Sequence, residues 1–424
     1  MQLSRTCFRA PVLVALVVGP VVLGQARAVG AAEVEAAQRV TVFREASASR
    51  TGLCAQGGAC DLTVTHPQTD VGATFGSGVG LAAGYAVDIV SGATPKVFSV
   101  DAVSTATKFS DVRHQIHGGL SYSRPIAELS GSVSYGWESD YKSTAVTVTT
   151  RSDVLDHQVT LALAYTHNFD RVCDQNNDQA AGRPLERLAL PSSQNCFKST
   201  AGPLSAQTAT RSLNIDALEP TITWAVTPRL LVLGGATVQV LDGFQSNPYR
   251  QVELGSSART PQESLPSLRQ RFALFGRAAY GFPHTRTSLQ AMGRLYRDTW
   301  GVDAATGELV ANQYLAKYLL FSARGRVHAQ RGAIFYRDAL AYRLQGPNSL
   351  FWTGDRELSP MENILFGGKL AYLRIPEAGT TSFFSDLEFA AKWETLLYYL
   401  GSSSAPNSDR KLATILQLAV SCRF

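Results

Sequence analysis

The last sixteen residues, Asp409 to Phe424, set the strictest condition on the fold. Side chains alternate across an extended chain, so Leu412, Thr414, Leu416, Leu418, Val420, Cys422 and Phe424 share one face. Ala413, Ile415, Gln417, Ala419, Ser421 and Arg423 share the other, which is mostly small or polar. Such a strand wants an apolar medium on one side and water on the other. An edge strand of a soluble sandwich would show the same alternation, so the rest of the chain decides.

The period of two recurs almost throughout. Strands are predicted at 38–48, 61–75, 78–91, 111–124, 127–139, 142–150, 155–169, 208–226, 229–241, 269–282, 286–298, 314–329, 332–344, 361–374, 382–399 and 410–424. In 127–139, Leu129, Val133, Tyr135 and Trp137 oppose Glu128, Ser130, Ser132, Ser134 and Glu138. In 382–399, Leu387, Phe389, Ala391, Trp393, Leu397 and Tyr399 oppose Asp386, Glu388, Lys392 and Glu394. Several of these runs exceed the usual strand length of soluble sheets. The phase changes near Pro220, where a bulge is expected.

The connections sort by length. Short ones fall at Phe75–Gly78, Arg124–Ile126, Thr227–Arg229, Pro283–Thr285, Gln330–Gly332 and Pro376–Gly379. Long ones fall at 92–110, 170–207, 242–268, 299–313, 345–360 and 400–409, with the short link at Asp140-Tyr141 breaking the pattern. A soluble all-β protein has no reason to sort its loops by parity, whereas a barrel in an outer membrane has short periplasmic turns and long extracellular loops.

The ends agree. Arg5 and Arg9, the apolar run Pro11–Gly24 and the site Ala26-Arg27-Ala28 predict a signal peptide over 1–28. Beyond it no run of 18 apolar residues encodes a membrane helix, and lipid admits only helices and closed barrels. Residues 29–424 are therefore expected to form one all-β domain, a transmembrane antiparallel up-and-down β-barrel of about sixteen strands. Removing Arg5, Arg9 and Arg27 from the 39 basic residues leaves 36 against 34 acidic ones, a net charge of +2 that argues against nucleic acid as a partner. The partners implied are the lipid bilayer, the barrel-assembly machinery, for which Phe424 is the terminal signal, and a small polar solute.

Motifs for chemistry are weak. Gly76-Ser77-Gly78-Val79-Gly80 lacks both the third glycine and the helix of a dinucleotide loop, and reads as a turn. Asp174-Gln175-Asn176-Asn177-Asp178 begins like a calcium loop, but Gln179 and Leu185 stand where the glycine and glutamate belong. His114 and His117 point to opposite faces of a strand, and His66, His157, His167, His284 and His328 are scattered. No enzyme, metal or cofactor is called for. Export permits disulfides, and the near pairs Cys54 with Cys60 and Cys173 with Cys196 are predicted as loop staples, leaving Cys422 as a small hydrophobe facing lipid.

Several stretches carry a resemblance. Tyr85–Ala93, Asp111–His114, Glu138–Ser143, Gln239–Arg250 and Tyr296–Gly301 resemble, in order, the bacterial domain-of-unknown-function family numbered 3570. The insertion at 170–207 departs from it. The resemblance implies an outer-membrane barrel and brings no catalytic residues; its members' gene neighbourhoods hint at flavin transfer and thiol redox. Asp88, Arg113, Asp140, Arg250, Arg297 and Asp298 lie near the long-loop ends of their strands, either pairing to fix the loops or lining a selective mouth.

On the polar face, Arg113, Arg271, Arg277, Arg294, Arg324, Arg326, Glu388, Lys392 and Glu394 are expected to face the lumen. Sixteen strands leave an aqueous interior. Arginines of 269–330 against acids of 386–394 would set a transverse field, or the charges would pair across a plugged lumen. The expected function is an outer-membrane pore for small polar solutes, narrowed by loop 170–207 or 242–268. The alternative is a non-conducting barrel serving as scaffold in an envelope assembly with a redox link.

Overall fold

The computed structural model describes residues 32–47, 62–94, 107–175, scattered positions between 185 and 197, 208–255, 260–374, 386–400 and 409–424. The predicted signal peptide and the pair Cys54 and Cys60 lie outside the described residues.

Sixteen strands follow in chain order. They begin β1 (Ala32–Ser47), β2 (Leu62–Phe75), β3 (Val79–Thr94), β4 (Thr107–Arg124), β5 (Ala127–Trp137), β6 (Tyr141–Val154), β7 (Val159–Gln175) and β8 (Thr208–Thr227). They continue β9 (Leu230–Gly243), β10 (Leu268–Phe282), β11 (Thr287–Asp298), β12 (Asp303–Ala316), β13 (Leu319–Gln330), β14 (Met361–Arg374), β15 (Asp386–Leu400) and β16 (Asp409–Arg423). Each pairs antiparallel with its sequence neighbours, and β1 pairs with β16, so the sheet closes on itself. Closure removes the unpaired edge that lipid could not satisfy. The Phe424 amide donates to Val34 O at 2.8 Å, extending that seam to the last residue.

The alternation does the work expected of it. Leu81, Ile116, Leu120, Leu129, Val133, Leu161, Leu295, Leu309, Val327, Phe366 and Leu418 are exposed on the outside, forming the apolar exterior of a transmembrane barrel. Aromatic side chains gather at two levels of that exterior. Near the loop ends of β3–β5, Tyr85, His114, Trp137 and Tyr135 form a stacked run. Near the turns, Tyr280 packs on Phe282 and Tyr318 on Tyr372.

One substitution of strands corrects the sequence reading. The segment 299–313, expected as a long loop, contains most of β12, while 332–344, expected as a strand, is loop carrying the short helix α1 (Ala339–Gln345). The two-residue turn Lys317-Tyr318 has no Gly, Pro or Asn to mark it, so β12 and β13 merge into one run in the sequence. The connection 331–360 is therefore a single long loop, and Gln330–Gly332 is no turn. Two further adjustments are smaller. Leu155, Asp156 and His157, read as strand, form a left-handed turn with φ of 52°, 53° and 63°. The expected bulge at Pro220 is only a gap in the β8–β9 pairing; the register shifts between Ala225 and Thr227.

Candidate functional site

Two long loops on one rim, 244–267 between β9 and β10 and 331–360 between β13 and β14, are sewn to each other. Ser264 and Trp352 exchange backbone hydrogen bonds at 3.0 and 2.9 Å, and Gly255 N donates to Tyr342 O at 3.0 Å. Val252, Leu254, Tyr342 and Trp352 form a buried apolar cluster between the loops. Beside it, Trp300 and Val302 of the short link 299–302 pack with Ala333, Phe335 and Leu358. Together they form a cap with a core of its own.

Charges lock this cap. Arg250 donates to Glu263 at 3.1 and 3.2 Å and to Asp355 at 2.9 Å, while Thr353 Oγ donates to Glu263 at 2.8 Å. Glu263 and Thr353 are almost wholly buried. Burial works against the Arg250 charge, but the Glu263 and Asp355 carboxylates outweigh it and hold the guanidinium pKa above its ordinary value. Burial pushes the Tyr336 and Tyr342 phenols up to about 12. On the far side Arg356 donates to Glu45 of β1 at 2.7 Å, so loop 331–360 reaches past β14–β16 to the closing seam.

Asp298, at the end of β11, anchors the cap to the wall. Its carboxylate accepts from the backbone of Trp300 and Val302 at 2.9 and 3.0 Å, from Tyr296 at 2.7 Å and from Arg269 at 2.5 and 2.9 Å. The Arg269 guanidinium lies 4.3 Å above the Trp300 ring, whose Nε1 donates to Leu268 O. Gly301 turns there with φ +83°, a left-handed conformation that suits glycine. Two of the stretches that carry the family resemblance, 239–250 and 296–301, thus supply the lock and the anchor of the cap. Arg297 pairs with Asp303 at 2.6 Å on the exposed rim, and Asp88 bonds His66 at 2.7 Å.

Loop 176–207 joins by its base. Cys173 and Cys196 form the predicted disulfide. Asp174, fully buried, accepts from Arg187 at 2.5 Å, Arg211 at 3.1 Å and Gln262 at 3.5 Å. The first ligand of the imagined calcium loop is therefore held by two arginines, and most of the remaining positions lie outside the described residues. Gln262 N donates to Arg187 O, and Leu190 N to Pro248 O, tying this segment to loop 244–267.

Below the cap, the sequence-predicted charges alternate with the exposed apolar residues of their strands. Arg324 bridges Glu308 at 2.7 Å and Glu394 at 2.8 Å, and Lys392 meets Glu394 at 3.1 Å. Gly367 of the intervening strand makes this reach possible, since a Cβ there would stand 2.7 Å from Glu394 Cγ. Lys369, which the sequence reading missed, pairs with Glu388 at 2.8 Å. The acids of β15 thus bond along one wall, to the arginine of β13 and the lysines of β14 and β15. Arg271 contacts Gln239 at 3.1 Å, Arg294 lies 6.0 Å over Tyr296, Arg277 is exposed opposite Met292, and Arg113 stands opposite Asp88 in register.

Two of the spaces inside bear on function. A cavity of about 420 Å³ under the cap is lined by Arg269, Arg271, Arg294, Thr306, His328 and Glu357 among others. Toward the turn rim a second, of about 500 Å³, is lined mainly by small residues such as Gly72, Ala82, Gly119, Ser121, Ser130 and Thr147. Among the described residues no group of three or more His, Cys, Asp or Glu side chains could hold a metal.

Closed ladder, apolar exterior and polar interior together define a sixteen-stranded transmembrane β-barrel of the outer-membrane type, with a structured cap at one mouth. The chain belongs to the family described as "Protein of unknown function (DUF3570)", whose model matches residues 20–372. No curated protein matches it. Among solved structures it is similar to the outer membrane transporter YddB from Escherichia coli (8% identity, TM-score 0.38), covering 87% of this chain and 60% of that one. It is also similar to Pseudomonas aeruginosa OccK2 (OpdF) at 10% identity and TM-score 0.39, covering 93% and 98%. A bacterial polysaccharide outer membrane secretin gives 8% identity and TM-score 0.43, covering 92% and 98%.

Proposed function

We propose that this protein sits in the outer membrane, exported by the segment 1–28 and inserted through its terminal Phe424, and acts as a pore for small polar solutes. The observation that carries this reading is the interior: one cavity lined mainly by small side chains by the turn rim and another with charged side chains under the cap, polar groups that a merely structural barrel does not need. Among the described residues, loops 244–267 and 331–360 form the constriction. Full-length protein in a planar bilayer is expected to pass current in small, gated steps. An electrically silent bilayer, with insertion verified, would remove the pore reading.

The second reading, a non-conducting barrel that scaffolds an envelope assembly, draws on the cap itself, whose core and ion pairs are those of a permanent closure. Silence in the bilayer together with co-purification of a stoichiometric partner would favour it.

A further inference from the structure

We propose that the cavity beneath the cap is a binding site for a small oxyanion, a carboxylate or a phosphate, held by Arg271 and Arg294 and backed by Arg326. The proposal rests on the pore reading in that it names the class of solute.

The arginines around this cavity divide into two sets. Arg250, Arg269, Arg324 and Arg356 each hold at least one carboxylate within 2.9 Å. Arg271, Arg294 and Arg326 hold none among the described residues. Arg271 reaches only the amide oxygen of Gln239, and its Nε is buried without a partner. Arg294 lies over the face of Tyr296 and near His328, with no carboxylate bonded among the described residues. The Nε of Arg326 is likewise buried and unpartnered, as is that of Arg324, whose terminal nitrogens nonetheless hold two carboxylates where those of Arg326 hold none among the described residues. A buried guanidinium nitrogen without a partner is costly, and an entering anion would offset that cost at the half-buried Arg271 and Arg326, while the exposed Arg294 would meet it from the open side of the cavity.

The register brings these groups to one place. Arg294 stands opposite Thr306, and Thr306 opposite His328, so the three form a row across β11, β12 and β13. Neighbouring strands lie about 4.8 Å apart, so a small anion fits between the two outer side chains of that row. Arg326 lies two residues from His328, on the same face of β13, and Arg271 enters from β10. Thr306 Oγ and His328 Nδ1 bond each other at 2.8 Å, and Gln245 and Gln330 also line the cavity. Two acids line it as well. Asp355 is taken by Arg250, whereas the Glu357 side chain is exposed and has no ion pair among the described residues. Glu357 is thus the internal competitor of an entering anion, carried on the cap that must move to admit it.

The test uses the full-length protein in detergent and in planar bilayers, with inorganic phosphate and succinate as probes. The variants are R271Q/R294Q and E357Q, with folding checked by the gel shift of an unheated barrel. Calorimetry is expected to show saturable binding of one or both probes, weakened at least tenfold in R271Q/R294Q and strengthened in E357Q. In a salt gradient the wild-type current is expected to favour chloride over potassium, and R271Q/R294Q to shift the reversal potential toward that of potassium. Binding without any current would sink the pore reading and leave the anion site standing. Current with no binding, and with selectivity unchanged in folded R271Q/R294Q, would overturn the anion site and leave the pore. Loss of both in wild type overturns both.

Discussion

Arg250 and Glu263 show what a single buried charge does in this molecule. Glu263 is buried with its carboxylate shared among Arg250, Thr353 and the Asn247 amide. Removing one member of a buried ion pair strands the other in a poor solvent, at about 3–5 kcal/mol. Arg250→Met should therefore release loop 244–267, raising amide exchange at Val252 and Glu263 by roughly a hundredfold or more, since each 1.4 kcal/mol of opening energy is tenfold. The double variant R250M/E263Q removes both charges, keeps the acceptor for Thr353 and should recover most of the protection. Exchange as fast in the double as in the single variant would show that the pair is not what holds the loop. Arg250 was visible in the sequence as a rim charge, but its partner Asp355 is 105 positions away. Alternation assigns a face to a residue; it cannot name a partner on another loop. Cys173 and Cys196 were easier, since only 23 positions separate them.

At the level of elements, strands were legible wherever the period of two was strong, and β12 shows where it was not. Its outward positions include Ala305, Gly307 and Ala311, too small to mark a face, and the turn after it carries no breaker. Loop 331–360 was misread for the opposite reason: Ala333, Phe335 and Tyr342 are apolar because they fill the cap core, not because they face lipid. That core makes the loop sensitive to alkali. Tyr336 and Tyr342 are both pushed up to about 12 by burial, whereas a free phenol ionises near 10. Below pH 10 both forms are protonated and the contribution to docking is intact. As pH climbs from 10 toward 12 the undocked phenols ionise first, and docking loses up to about 3 kcal/mol per tyrosine. Protease cleavage within 331–360 should rise over that interval while the barrel keeps its strand signal in circular dichroism. Tyr342→Phe should blunt the rise, at the cost of leaving Thr353 N and Phe335 O without the phenol that bonds them at 3.0 and 2.9 Å.

For the whole molecule the relevant fact is that barrel and cap are separable constructions. The ladder from β1 round to β16 is complete without any residue of 331–360, while the cap depends on contacts between loops of separate hairpins. This is also why closure, strand number and apolar exterior could be read from periodicity, whereas the covered mouth could not. Replacing 334–356 with a short Gly-Ser linker tests the separation. It removes Tyr342, Trp352, Asp355 and Arg356, and with them the clamp on Arg250 and the strut to Glu45. The shortened protein should still migrate as a compact, heat-modifiable barrel, because every strand pairing survives. Its single-channel conductance should rise severalfold over that of the intact protein, as the passage becomes limited by the barrel, wide enough at sixteen strands to hold water. An intact barrel with unchanged conductance would mean that current is limited elsewhere, by the wall network of Arg324, Glu308 and Glu394 at mid-barrel. A chain that no longer folds would instead show that the cap stabilises the ring itself, through the Arg356 strut to the seam where the sheet closes.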